Sequence, residues 1–237
     1  MEGEQSAASS VPIKGYWEPI TATIDWCEDN YQYTHYLVEF WNSITSLLFV
    51  VAGAFGFREH SHLPLPVRLS FLGIVLVGVG SFMFHGTLKF SMQLLDELPM
   101  VYIEAYIISC FCPKWVRWLF LVGGVIFTAI YAVDRTPLLF QAVYGTLQVI
   151  CVTMFYRGMR QHKSKHLTTL FFGSFLFTAF AFTLWNIDNH MCHSCLRPWK
   201  QRIWLPVLLE LHAWWHVFSC LGAYWFIVGM CSLLPEV

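Results

Sequence analysis

Three histidines within strongly apolar stretches are the residues of this sequence best suited to chemistry. His212 and His216 are the ends of a His-Ala-Trp-Trp-His segment, and His85 ends a Ser-Phe-Met-Phe-His segment far upstream. Residues four apart lie on one face of a helix, so His212 and His216 can bind one metal ion together. With His85 they would give zinc three protein ligands and an open fourth position, as in catalytic zinc sites. A hydrogen-bonded core histidine is the ordinary alternative for each residue alone, because a buried ring nitrogen needs a partner.

Polar residues near these histidines could complete a catalytic site. Ser81 precedes His85 by four residues, so its hydroxyl could hydrogen-bond a developing oxyanion or bond back to its own helix. Asp96 and Glu97 open another apolar stretch, where a carboxylate is costly and therefore a functional candidate. One of them could act as general base toward an attacking water, or both could cap the helix start. The sequence does not decide which carboxylate faces a pocket.

A second polar cluster precedes the first apolar stretch. It contains Asp25, Glu28, Asn30 and Glu39, whose side-chain oxygens are ligands that calcium prefers. Their spacing is not that of an EF-hand. On the residues alone, a solvated acidic segment is favoured over a calcium site.

The elements that position these residues must be membrane helices. Of the 237 residues, 57% are hydrophobic and only 12% are charged, about half the charged fraction of a soluble domain. The apolar stretches are long enough to cross a bilayer and do not alternate as barrel strands do. A net charge of −1 gives no indication of nucleic-acid binding. We expect one all-α integral membrane domain over 1–237, with a lumenal segment at 1–35 and a helix bundle at 36–233.

The apolar stretches predict seven transmembrane helices. They lie at residues 36–57, 69–88, 94–111, 115–133, 137–155, 167–185 and 204–233. Basic residues are more frequent in the loops away from the N-terminus, so we expect a lumenal or external N-terminus and a cytosolic C-terminus. This topology brings the three histidines to similar depths near the lumenal face. Residues 1–12 lack the apolar core of a signal peptide, and we expect no cleavage there.

Cysteine positions agree with this orientation. Cys27, Cys192 and Cys195 fall on the predicted lumenal side, where disulfides persist. His190 and His193 lie beside the last two and could join them in binding a metal, but a disulfide is the simpler interpretation. Asp188, just before this group, could cap a helix end or brace the site. Glu104, within the third predicted span, has no partner that the sequence indicates.

Several of these stretches together resemble alkaline ceramidases, and most closely the alkaline phytoceramidase type. The matching segments are Gly-Tyr-Trp-Glu at 15–18, Asp-Trp-Cys-Glu-Asp-Asn at 25–30, Glu-Phe-Trp-Asn at 39–42, Gly-Ser-Phe-Met-Phe-His at 80–85, Leu-Leu-Asp-Glu-Leu-Pro-Met at 94–100, Trp-Asn-Ile-Asp-Asn at 185–189 and His-Ala-Trp-Trp-His at 212–216. These segments are distributed along nearly the whole chain, in the order expected for the family. The wider superfamily of seven-helix membrane hydrolases, which includes adiponectin receptors, shares the pattern of one serine, three histidines and one aspartate.

The resemblance implies roles for the site residues. It implies zinc ligation by the three histidines, with Asp96 rather than Glu97 as the base and Ser81 steadying the tetrahedral intermediate. It implies a Cys27–Cys192 disulfide. It also implies a calcium site, in place of a solvated acidic segment. The implied calcium ligands are Asp25, the carbonyl of Trp26, Glu28, Asn30 and Glu39. Glu104 and Cys195 depart from the family pattern.

The activity that the resemblance implies is zinc-dependent hydrolysis of ceramide to a sphingoid base and a fatty acid, with dihydroceramide or phytoceramide as further possible substrates. The expected partner is this lipid within the bilayer, with no nucleic acid and no obligate protein partner, in the endoplasmic reticulum or Golgi membrane. The alternative is a seven-helix lipid receptor, similar to adiponectin receptors, in which zinc is mainly structural. A transporter is disfavoured, because no paired, interrupted repeats are visible.

Overall fold

Helices make up almost all of the structure, a computed structural model that describes residues 15–233. The segment expected to lack a signal-peptide core, residues 1–12, lies outside the described residues. The helices are α1 (Phe40–Glu59), α2 (Leu65–Thr87), α3 (Phe90–Cys110), α4 (Lys114–Asp134), α5 (Pro137–His162), α6 (Lys165–Met191), the short α7 (Arg197–Lys200) and α8 (Leu211–Cys231). A π-helical turn at Cys192–Leu196 and a 3₁₀ turn at Pro206–Leu209 complete the connection between α6 and α8.

Local sequence explains where the helices begin. Prolines stand at or just before the first turns of α2, α4 and α5, where the missing N–H costs nothing. Ser164 caps α6 by accepting a hydrogen bond from the backbone of Leu167. Two predicted starts were wrong. The first helix starts at Phe40, not at 36, because the backbone of residues 38 and 39 is bonded to the end of α2; the last starts at Leu211, not at 204, after the 3₁₀ turn.

The described residues form an all-α membrane protein with no strand. Six of their helices are long and apolar enough to cross a bilayer. The helix outside that set is α3, which carries Asp96, Glu97 and Glu104 over its 21 residues. Large apolar side chains cover the outer face of α4; Trp115 and Val125, for example, are 66% and 65% exposed. Such a surface suits contact with lipid in a multi-pass protein.

Close packing of α2 against α3 aligns the two helices that carry the predicted serine and carboxylates. A Cβ added to Gly80 would lie 2.0 Å from the Leu95 carbonyl oxygen, so only glycine permits this approach. Pro99 has no N–H to donate to that carbonyl, four residues earlier in α3. The two backbones therefore meet one residue before Ser81 and one residue before Asp96.

The described part of the N-terminal segment, residues 15–39, lies over the end of α2. The Leu88 carbonyl accepts hydrogen bonds from the backbone of Thr21 and Ala22, and the Glu39 N–H donates to the His85 carbonyl. The side chain of Gln93 at the start of α3 accepts from the Thr23 backbone at 2.9 Å. These bonds fix the segment against the end of the bundle where the predicted site residues lie.

Candidate active site

The structure brings the three predicted histidines together. His85 lies in the last turn of α2, and His212 and His216 lie in the first two turns of α8. The ring centres are 5.0, 5.0 and 4.8 Å apart, and each residue is at most 2% exposed. Among the described residues, they are the one group of three or more ligand-type side chains whose ligand atoms lie within 4.8 Å of one another.

Each histidine is oriented by a neighbour. Nδ1 of His85 lies 2.5 Å from Oε2 of Glu39. Nδ1 of His216 lies 2.9 Å from the Thr45 hydroxyl, which itself donates to a helix carbonyl and so accepts from the ring. His212 is stacked on the Trp26 indole, with ring centres 3.7 Å apart. These contacts fix the tautomers of His85 and His216 and leave the Nε2 lone pair of each ring for another partner.

The free ring nitrogens fit a zinc ion. Nε2 of His85 and Nδ1 of His212 are buried and have no hydrogen-bond partner. Nε2 of His216 lies 3.4 Å from the Ser81 hydroxyl. A buried nitrogen without a partner costs free energy unless an ion or a ligand group meets it. Three imidazoles are a ligand set typical of catalytic zinc.

Ser81 and Asp96 stand together beside this group. The Ser81 hydroxyl is 2.9 Å from that of Ser46, and the Asp96 carboxylate interacts with the Ser81 hydroxyl. Both side chains line a cavity within the bundle, and the partial exposure of Asp96 is toward this cavity. A hydroxyl and a carboxylate thus face the same space, next to His216.

Glu97 has different surroundings. It is 5% exposed and accepts hydrogen bonds from the Tyr131 hydroxyl and from the Gln93 amide. It does not line the cavity that contains Asp96. Its hydrogen bonds join α3 to α4, and because Gln93 also bonds Thr23, they reach the N-terminal segment.

The acidic cluster is partly assembled around the start of α1. Glu28 accepts from the backbone N–H groups of Trp41 and Asn42 at 2.7 and 2.9 Å, and Glu39 accepts from that of Trp26 at 3.1 Å. Burial raises the pKa of Glu28 to about 8; the backbone hydrogen bonds oppose the rise, and the nearby Glu39 charge adds to it. These carboxylates thus lie in an environment that favours a cation.

The remaining predicted calcium ligands lie at the edge of this cluster. Burial raises the pKa of Asp25 above its ordinary value, although the side chain reaches the surface. Its Oδ1 is 3.5 Å from the Asn30 amide nitrogen, while Oδ1 of Asn30 is buried without a partner. An unpaired buried oxygen next to a carboxylate suits a hard cation. The ligand atoms of Asp25, Glu28 and Glu39 do not all lie within 4.8 Å of one another, so the structure does not bring the predicted calcium ligands fully together.

A disulfide links the N-terminal segment to the α6–α8 connection. It joins Cys27 to Cys192, and Cys195 is a free thiol in the π-helical turn. Lys200 donates to the Cys27 carbonyl at 2.8 Å and to Glu210 at 2.7 Å. Asp188 braces the same junction, because its carboxylate accepts from the backbone N–H groups of Cys27 and His212.

Sequence reasoning missed several members of the site. It took Glu39 only as a calcium ligand, whereas its carboxylate also bonds His85. It assigned no role to Thr45, which orients His216, and none to the indole of Trp26. Nothing local in the sequence ties either Glu39 or Thr45 to a histidine, because both contacts depend on how α1 packs against α2 and α8.

Comparison with known proteins identifies the family. A family model described as Ceramidase matches residues 18–234. Alkaline ceramidase 3 of Mus musculus is 38% identical over 92% of this chain and 85% of its own length. Alkaline ceramidase YPC1 of Saccharomyces cerevisiae is 31% identical over 94% of this chain and 79% of its own, and the Arabidopsis thaliana alkaline ceramidase is 28% identical over 90% and 84%. This chain therefore belongs to the ceramidase family, as a hydrolase of the alkaline ceramidase type.

Proposed function

We propose that this protein is a zinc-dependent amide hydrolase that cleaves ceramide to a sphingoid base and a fatty acid. The observation that carries the proposal is the buried histidine group, two of whose rings have an unpaired nitrogen. Its third ring, His216, lies beside Ser81, which lines one cavity together with Asp96. His85, His212 and His216 would hold the zinc. When bound there, zinc supplies Lewis-acid polarisation of a carbonyl oxygen and acidifies water.

The chain's own residues supply the proton transfers. Asp96 accepts a proton from the attacking water and returns one to the leaving amine, so that its carboxylate is regenerated in each cycle. The Ser81 hydroxyl donates a hydrogen bond to the oxyanion that develops on the former carbonyl oxygen. Glu39 and Thr45 keep the His85 and His216 rings in the tautomers described above. The products are a free amine and a carboxylic acid, which releases its remaining proton to solvent.

The cavity suits a lipid amide. It measures about 90 Å³, several times the volume that one water molecule needs, and apolar side chains from α1, α2, α3 and α8 line most of it. Phe49 and Trp215 lie near the histidine end, and Phe226 lies farther along α8. A polar reaction centre at one end of an apolar cavity matches an amide head carrying hydrocarbon chains.

We also propose the full topology. All seven long helices would span the membrane, with the carboxylates of α3 turned into the bundle, as polar groups at this depth must be. The N-terminus would be lumenal and the C-terminus cytosolic, and the protein would reside in the endoplasmic reticulum or Golgi membrane. The oxidised Cys27–Cys192 pair supports a lumenal position for the segment, since disulfides persist in that compartment.

Calcium would bind the acidic cluster. The proposed ligands are those that the family resemblance implies: Asp25, the Trp26 carbonyl, Glu28, Asn30 and Glu39. The unpaired Asn30 oxygen and the raised pKa of Glu28 support the assignment. Thorough chelation should lower the melting temperature of the purified protein, and added calcium should restore it. An unchanged melting curve would contradict the calcium site and leave the cluster only its hydrogen bonds to the first turn of α1.

Turnover of ceramide by the purified protein in detergent tests the proposed function. The wild type should release fatty acid and contain about one zinc per chain. His212→Gln should abolish both while leaving a folded bundle. His62→Gln alters an exposed histidine at the other end of the molecule and should change neither.

Two outcomes would contradict the proposal. Full activity of the His212→Gln variant would exclude the zinc mechanism. Stoichiometric zinc in a folded wild type that never hydrolyses ceramide would favour instead a receptor with a structural zinc.

A further inference from the structure

Glu104 is a buried carboxyl group that the proposed reaction does not use. It lies in α3 and is 9% exposed, and its Oε2 is buried without a hydrogen-bond partner. On α5, the Cys151 thiol lies 3.9 Å from the Glu104 backbone carbonyl, a long contact that leaves Oε2 without a partner. An unpaired carboxyl in an apolar bundle costs free energy, so it needs a hydrogen-bonding group of a ligand that binds in the cavity.

Gln148 offers a second unsatisfied oxygen to the same cavity. Its Oε1 is also buried without a partner, and both Glu104 and Gln148 line the cavity. Tyr144, Gln148 and Cys151 recur at helical spacing on the face of α5 that meets α3. Two helices thus each contribute one unpaired oxygen to the same cavity. The matching ligand group must donate a hydrogen bond.

This place lies far from the reaction centre. Glu104 follows Asp96 by eight residues in the same helix, which corresponds to about 12 Å along the helix axis. A group bound there cannot be a hydroxyl next to the scissile amide. It must be carried some way along a hydrocarbon chain whose amide end lies at Ser81 and Asp96.

We infer that Glu104 and Gln148 form a specificity site for a hydroxyl group carried in the middle of a hydrocarbon chain of the lipid amide. The inference rests on the proposed function for the position of the amide. A hydroxyl donates one hydrogen bond and accepts others, so it accepts from the protonated Glu104 carboxyl and donates to Oε1 of Gln148. A plain chain would instead leave both groups unpaired, and the site would discriminate against it. The substrate class is therefore ceramide with a chain-hydroxylated acyl group.

Competition between matched ceramides tests the inference. One carries a hydroxyl about 12 Å from the amide carbonyl, one carries it on the carbon next to the carbonyl, and one has a plain chain. The wild type should favour the first over both others by about 10-fold in kcat/KM. Glu104→Leu and Gln148→Leu should each abolish this preference, while Glu104→Gln, which retains hydrogen-bonding groups, should keep part of it. Met100→Leu, an apolar change in the same cavity, should leave the preference intact.

A binding measurement separates this inference from the proposed function. Thermal shift with the free fatty acids that correspond to the three ceramides does not require turnover. The mid-chain hydroxy acid should raise the melting temperature of the wild type more than the other two acids do. In the Glu104→Leu variant, the mid-chain hydroxy acid and the plain acid should raise it equally. Hydrolysis of ceramide without any chain preference would overturn the inference and leave the function standing. A preference that persists in both leucine variants would overturn it too. Selective binding without hydrolysis would support the site and contradict the function.

Discussion

Replacing Glu39 with glutamine tests the link between the N-terminal segment and the histidine group. The Glu39 carboxylate accepts from the Trp26 N–H, the Asn42 amide and the His85 ring at 3.1, 3.1 and 2.5 Å. An alanine would leave three buried donors unpaired, at about 1–3 kcal/mol each, a large part of a typical folding free energy. Glutamine keeps the shape and one acceptor, so it isolates the loss of the second oxygen.

The effect on the His85 tautomer depends on which way the NH₂ group of the new glutamine points. If the new NH₂ group faces the ring, Nδ1 must accept, and the proton moves to Nε2, the nitrogen proposed to bind zinc. If it faces the Trp26 N–H instead, two donors meet and the segment loses a bond. Substitutions of this kind cost 10–100-fold in metal affinity or activity, or about 1.4–2.8 kcal/mol. We expect a loss in this range for zinc affinity.

Zinc retention against a competing chelator, measured together with kcat and KM on ceramide, provides the assay. Glu59→Gln is the matched control, because Glu59 ends the same helix and is exposed. Glu39→Gln should lose zinc at lower chelator concentrations than the control, and added zinc should restore part of its activity. Equal zinc retention in both variants, with equal kcat, would refute the role of Glu39 in orienting His85.

Asp96→Asn retains the shape of the side chain but removes the proposed base, so kcat should fall by about 100-fold or more. Glu97→Gln should mainly lower the melting temperature. A large loss of kcat in Glu97→Gln and a small one in Asp96→Asn would show that Glu97 is the base. Gly80→Ala should lower both activity and melting temperature, since its Cβ would meet the α3 backbone, while Gly123→Ala, with open space around it, should do neither. Cys27 should resist thiol labelling until the protein is reduced, and labelling of the unreduced protein would contradict the disulfide.

The sequence predicts the histidine group well because its signals are local or topological. The spacing of His212 and His216 places them on one helix face, and alternating helix directions bring His85 to the same end. The interactions of Glu39 could not be predicted in this way. Its bond to His85 joins residues 46 apart, through a segment without regular structure whose path depends on many weak contacts.

The ends of the helices and the polar residues of the cavity wall could not be predicted from the sequence for a related reason. Hydropathy marks where a helix can lie in a bilayer, but the start of α8 depends on the turn at Pro206–Leu209, which hydropathy does not report. Likewise, the sequence presents Glu104 as an isolated charge, and only the fold shows that Gln148 of α5 lines the same cavity. The free-energy cost of burying a carboxyl marks such a residue as a functional candidate, but its binding partner depends on which residues the opposing helix places in the cavity.

The N-terminal segment contacts the histidine group directly and is therefore part of the proposed catalytic site. Glu39 contacts one histidine, Trp26 stacks on another, and the Cys27–Cys192 disulfide ties the segment to the π-helical turn that follows α6. Glu39 precedes the first residue of α1, so the helices alone would fix the tautomer of His216 through Thr45 but not that of His85. Calcium binding, disulfide formation and zinc affinity should therefore depend on one another, because each stabilises the same path of residues 25–39 over the end of α2.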